Sequence, residues 1–211
     1  MKLYDAVWAP SPRRVRIFLS EKGIELDRQM IDLRSGEQLG PDYLAINPAG
    51  TLPALQLDDG EIITESAAIC RYLEALHPAP ALFGATPVMV GRVESWTRRI
   101  EADGYAAAVY VFRNSRPALA DKGLPGNWPP IPQIPELATR GAIMWNRMVE
   151  ALDDQLARNE WIAGDAISFA DITALVTVDF AEKPAGLAIP ESATHLMRWY
   201  KAMAARPSAS A

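Results

Sequence analysis

The stretch Asn47 to Ser66, NPAGTLPALQLDDGEIITES, decides how the rest of this chain is read. Pro53 stands at the head of an apolar run, Leu52-Pro53-Ala54-Leu55. Proline donates no backbone hydrogen bond, so it belongs at the first residue of a strand or at a sheet edge. The Leu52–Pro53 bond is expected to be cis, a form confined almost wholly to X–Pro bonds in tight turns. Asp58-Asp59-Gly60 separates Leu55 and Leu57 from Ile62 and Ile63. Asp-Gly between apolar runs is a hairpin signal. Thr64-Glu65-Ser66 then opens the helical run AAICRYL. A helix start exposes unpaired backbone N–H groups that suit an anion, and Glu65 beside it suits a cation. A proline-led strand, a hairpin and a polar helix start together form a small-ligand site.

The chain before this stretch supplies the rest of an α/β unit. Residues 2–8 and 25–33 read as strands, with a helix between them that ends at Lys22-Gly23. Glycine just after the last periodic residue is a helix stop. Pro41-Asp42-Tyr43-Leu44 reads as a short helix. The order β-α-β-(short α)-β-β-α occupies residues 1–77. Prolines at 78, 80 and 87 mark residues 78–87 as a linker. Beyond it the spacing is helical: 88–114, 137–156, a helix after Ser168, and 191–205. Val93, Trp96, Ile100, Tyr105, Val109 and Phe112 recur at helical spacing. Ser168 followed by Asp171 is a capping-box signature. Residues 123–135 hold five prolines and form a loop, read as a wall of a second pocket. The tail Pro207–Ala211 is read as frayed.

Bulk properties exclude several classes. The net charge of −5 over 211 residues argues against nucleic-acid binding, which calls for a basic stripe. No apolar run reaches the roughly 18 residues of a membrane span. Lys2 and Asp5 interrupt any signal-peptide core, so the expected location is the cytoplasm. One cysteine and two distant histidines give no disulfide and no expected metal site.

NPAGTLPAL followed by TESAAI resembles the glutathione-binding half of the glutathione S-transferases, the cytosolic type with bacterial theta, zeta or nu-like character. The likeness is strongest over residues 1–76. It implies a thioredoxin-like α/β N-terminal domain, an all-helical C-terminal domain over 88–211, and a homodimer. It implies glutathione as co-substrate, held by Gln38, Leu52, Pro53, Glu65 and Ser66. The Leu52 backbone pairs with the cysteinyl residue, Glu65 and Ser66 take the γ-glutamyl end, and Gln38 takes the glycine carboxylate. The reaction it implies is attack of the glutathione thiolate on a small electrophile, in detoxification, with isomerase, dehalogenase and peroxidase chemistry also open. Its strand-to-helix loop departs from the family pattern. Ala9 stands at the usual catalytic Ser or Cys position of the theta-like and omega-like classes. Ser11 is the loop's only hydroxyl and becomes the candidate catalytic residue, although a serine between two prolines also fits a plain turn. The departure at Ala9 keeps open a non-catalytic binding or assembly module on the same fold. Arg13, Arg14 and Arg16 read as a solvated helix face or as an anion attractor at the cleft.

Overall fold

A computed structural model describes residues 1–211. Strands β1 (Lys2–Asp5), β2 (Asp27–Met30), β3 (Ala54–Gln56) and β4 (Ile62–Thr64) form one sheet in the order β2-β1-β3-β4. β1 runs parallel to β2 and antiparallel to β3, and β3 pairs antiparallel with β4 through Ala54↔Thr64. The parallel step needs a crossover, which helix α1 (Pro10–Lys22) provides. α1 stops where expected. Gly23 takes φ 63°, and the Ile24 N–H bonds back to the Leu19 carbonyl, closing the last turn. The short helix α2 (Pro41–Leu44) and helix α3 (Ser66–Leu76) complete this α/β unit.

The remaining chain is helical, as the spacing requires: α4 (Pro87–Arg99), α5 (Ala106–Asn114), α6 (Pro135–Leu156), α7 (Phe169–Phe180) and α8 (Thr194–Ala204). α4 and α5 are joined by a π-helical turn at Ile100–Tyr105, so the predicted single helix over 88–114 is one rod with a widened turn. α7 is the hub. It is buried from Phe169 to Val178, and Phe169 stacks on Phe83 at 4.4 Å and meets Phe18 of α1 at 6.2 Å. These rings bind the α/β layer to the helices in one apolar core. The Ser168–Asp171 capping box forms as read. No helix is long and apolar enough to cross a membrane.

Three expectations need correction. β2 covers only Asp27–Met30 of the strand read over 25–33, and as an edge strand it is exposed at every position. The helical spacing over 137–156 sets Ile143, Met144, Met148 and Leu152 on one side, but Ile143 is 66 % exposed, because the buried stripe runs through Trp145, Met148, Val149 and Leu152. The tail is not frayed. Pro207–Ser210 forms a 3-10 turn, and Ser208 is buried with its hydroxyl on Glu21. Arg206 grips the same carboxylate with two bonds of 2.7 Å, and Arg13 donates to the Ala209 carbonyl.

This docking is pH-sensitive. The Arg206 hydrogen bond, opposed by burial, holds the Glu21 carboxyl below its ordinary value. A depressed carboxyl stabilises the fold above the unfolded pKa of about 4.5, and that contribution is lost as pH falls through the folded value. Glu21→Gln should therefore be less stable than wild type at pH 7, with a smaller gap at pH 4, below the unfolded value. A gap of constant size in denaturant titrations at the two pH values would show that the ion pair carries none of it.

Candidate functional site

A cavity of about 450 Å³ lies where the starts of α1 and α3 face α4, the π turn and α7. Its lining includes Ser11, Arg14, Glu65, Ser66, Glu101, Tyr105 and Thr173. Three predicted site residues, Ser11, Glu65 and Ser66, thus share one cavity. Gln38, Leu52 and Pro53 do not line it. Leu52 and Pro53 lead into β3, whose first residue Ala54 pairs with Thr64, the residue before Glu65.

The Leu52–Pro53 bond is cis. Neither the N–H nor the C=O of Leu52 bonds to another protein group, which leaves an unpaired backbone edge at the head of β3. The preceding loop is fixed from within: the Tyr43 hydroxyl and the Asn47 amide both donate to the Thr51 carbonyl, at 2.7 and 2.8 Å. Burial pushes the Tyr43 hydroxyl up to about 12, so it stays a donor. Gln38 lies in a 3-10 turn (Glu37–Leu39), and its side-chain carbonyl oxygen is buried without a partner.

The proline-rich loop does not wall this cavity. It crosses to the Asn47–Thr51 loop, where the Asn127 N–H donates to the Ala49 carbonyl at 2.8 Å and its side chain to the Pro48 carbonyl. Gly126 makes this approach possible, since a Cβ there would stand 2.6 Å from the Ala49 oxygen and φ is +98°. The loop therefore braces the segment leading to Leu52.

Glu65 is the one non-glycine residue at positive φ, 67°. Strained backbone of this kind collects at functional sites. Here it turns the chain sharply from β4 into α3. No side chain caps α3, and the Ser66, Ala67 and Ala68 amides are free at the cavity wall. Glu65 itself is exposed and makes no ion pair. The other acids near the cavity are committed. Glu101 bonds Arg14 at 2.7 Å and Arg98 at 2.9 Å, and Glu94 bonds Arg98 and Arg71. An open N–H cluster and one uncommitted carboxylate thus stand side by side.

Ser11 is the second residue of α1, whose cap is Ala9 with no side-chain bond. Pro10 and Pro12 lack amide hydrogens, and the Arg13 N–H closes the first turn onto Ala9. The Ser11 amide is consequently the one free N–H in that turn. Its hydroxyl neighbours the Tyr105 hydroxyl: burial raises the Tyr105 pKa, and Ser11, then Arg14 and Arg113, hold that rise back. Tyr105, read from sequence as part of a helical apolar period, packs its ring with Phe180 at 5.7 Å, and Phe112 joins them. Tyr4 donates to Gln56 and packs on Tyr43 away from the cavity. Cys70 is fully buried, and burial pushes its thiol well up, so it is inert.

The reading of Arg13, Arg14 and Arg16 as a solvated face is overturned. Arg16 is buried on Asp5 at 2.5 Å, Arg13 pairs with Asp179, and Arg14 lies under the cavity wall. Sequence spacing gave no sign of Arg14 with Glu101, because their partners lie 87 residues apart.

Comparison with known proteins agrees with this geometry. Residues 8–76 match the glutathione S-transferase N-terminal domain and residues 143–207 its C-terminal domain. Glutathione S-transferase 2 of Saccharomyces cerevisiae is 35 % identical over 210 residues, covering 99 % of this chain and 87 % of that protein. The crystal structure of Gtt2 from the same yeast superposes with a TM-score of 0.89 at 34 % identity, covering 100 % of this chain and 99 % of that one. A glutathione S-transferase domain-containing protein of Marinobacter aquaeolei gives 0.88 at 35 % identity, with 99 % of each chain covered. Sequence, fold and cavity converge, and the chain belongs to the glutathione S-transferase family.

Proposed function

We infer that this protein is a glutathione transferase acting on a small electrophile, and that the cavity between α1, α3 and α7 is its active site. The observation that carries the reading is the pairing at the start of α3: free amides and the Ser66 hydroxyl beside the uncommitted Glu65 carboxylate. A zwitterionic amino-acid end is the ligand group that uses both, the carboxylate on Ser66 and the amides, the ammonium on Glu65. The unpaired Leu52 backbone suits the next residue of a peptide, held as an added strand. Gln38 takes the glycine carboxylate. The thiol so positioned meets the start of α1, where Ser11 is the catalytic donor that favours the thiolate over the thiol. The thiolate then attacks the electrophile, whose apolar body rests on Tyr105, Phe112 and Phe180. The reading includes a homodimer and a cytoplasmic, detoxifying role.

Calorimetry with glutathione tests the reading. Glu65→Ala should weaken binding by about 1–2 kcal/mol, the lower part of the range for a charged hydrogen bond because Glu65 is exposed. Equal affinity of variant and wild type would remove Glu65 from the site. Absence of any binding to wild type would remove the function.

A further inference from the structure

Ser66 and the side chain behind it fix what the start of α3 accepts. Ser66 is 1 % exposed, and its Oγ receives two hydrogen bonds from Arg14, from Nε at 3.1 Å and from Nη2 at 2.7 Å. A serine hydroxyl offers two acceptor lone pairs and one donor. Arg14 fills both lone pairs, so only the O–H is left. That proton has no protein acceptor. Ser66 is the first residue of α3 and has no helical carbonyl four residues before it. Thr173 and Thr177, on the same cavity, differ: each donates to the carbonyl four residues earlier, at 2.8 and 2.7 Å. Their protons are spent within α7, and the Ser66 proton is free to face the cavity.

Arg14 is itself rigidly held. Its Nη1 bonds Glu101 at 2.7 Å and reaches Thr173 Oγ1 at 3.4 Å, and its guanidinium lies 5.1 Å from the Phe169 ring centre. With its side chain 10 % exposed, it delivers charge through Ser66 rather than into solvent. Its fork geometry is what permits two bonds to one oxygen while a third group is gripped, and a lysine ammonium cannot reproduce this.

We propose that Arg14 is the positioning residue of the α3 subsite: it locks Ser66 as an outward, donor-only hydroxyl, so the subsite selects a carboxylate. The proposal rests on the glutathione reading and deepens it, since it assigns the discrimination at the γ-glutamyl end to a residue that acts through Ser66. An ammonium or amide N–H finds no acceptor on this hydroxyl. A carboxylate finds a charge-assisted donor, next to free amides.

The test is calorimetric titration with two ligands, glutathione and 4-aminobutyryl-cysteinylglycine, which lacks only the glutamyl α-carboxylate. Wild type should prefer glutathione by at least about ten-fold, the scale of a hydrogen bond to a charged group. Arg14→Gln should cut that ratio several-fold while leaving affinity for the decarboxylated peptide unchanged. A merely structural role would weaken both ligands alike. Arg14→Lys keeps the charge and the partner for Glu101 but supplies a single point donor, so it should fold and still lose most of the ratio. In a Ser66→Ala background, Arg14→Lys should reduce the ratio no further. A full ratio in Arg14→Lys, or additive losses in the double variant, overturns the proposal. Equal binding of both ligands to wild type also overturns it while leaving glutathione binding intact. No binding of either ligand by wild type overturns the glutathione reading together with it.

Discussion

Asp171→Ala should destabilise the protein by at least about 4 kcal/mol. The carboxylate is fully buried and accepts four hydrogen bonds. Oδ1 receives the Ile162 N–H at 2.9 Å and the Trp199 indole N–H at 2.8 Å, and Oδ2 receives the Ser168 N–H at 2.9 Å and its hydroxyl at 2.8 Å. Burial pushes this carboxyl upward, and the four donors pull against it. Deleting it strands four buried donors, each at about 1–3 kcal/mol. Against a typical total of about 5–15 kcal/mol, that is a large part of the fold's stability. The loss spreads, because Asp171 ties α7, the segment before it and α8 into one node. Urea unfolding of the variant should show a sharply lowered midpoint, with little folded protein near 37 °C. A shift of under about 1 kcal/mol would mean that the node relaxes or fills with water. Asp171→Asn should be intermediate, since one carbonyl remains but its NH2 faces two donors.

Ser11→Ala should lower turnover at neutral pH about ten-fold or more while leaving glutathione affinity nearly intact. Ser11 lies on the cavity wall at the start of α1, and the prolines on either side leave its amide as the single free N–H of that turn. Removing the hydroxyl deletes one of two donors and spares the other. Losing a donor to a thiolate costs about 1–3 kcal/mol, which moves the bound thiol up by about one or two pKa units. An ordinary thiol titrates near about 8.5, so a smaller thiolate fraction at neutral pH slows attack. The thiolate absorbs in the ultraviolet, and its titration in the complex gives the midpoint directly. An unchanged midpoint and rate in Ser11→Ala would leave the Ser11 amide as the stabiliser, and Tyr105→Phe would then ask whether the neighbouring phenol contributes.

The stretch from Asn47 to Ser66 was readable because its signals are local. A proline that cannot donate, an Asp-Gly turn and a polar helix start each act within a few residues, and the strand, the hairpin and the start of α3 follow from them. The same holds for the glycine stop of α1 and the Ser168–Asp171 cap. The helical half was legible as periodicity, but periodicity reports which faces are apolar and not what each face meets. Ile143 fits the period and lies in solvent, because the core to which α6 turns is defined by α5 and α8. The arginines of α1 show the same limit. Sequence weighed them as solvated or as a loose anion attractor, whereas Arg14 finds Ser66 52 residues away and Glu101 87 away. The tail was read as frayed because its composition is weak, yet Glu21 holds it from 185 residues away. Sequence by itself determined the elements and their order. Only the tertiary structure decided which buried charges meet, because desolvation makes a buried arginine find its acceptors wherever the fold brings them, and no local pattern records that distance.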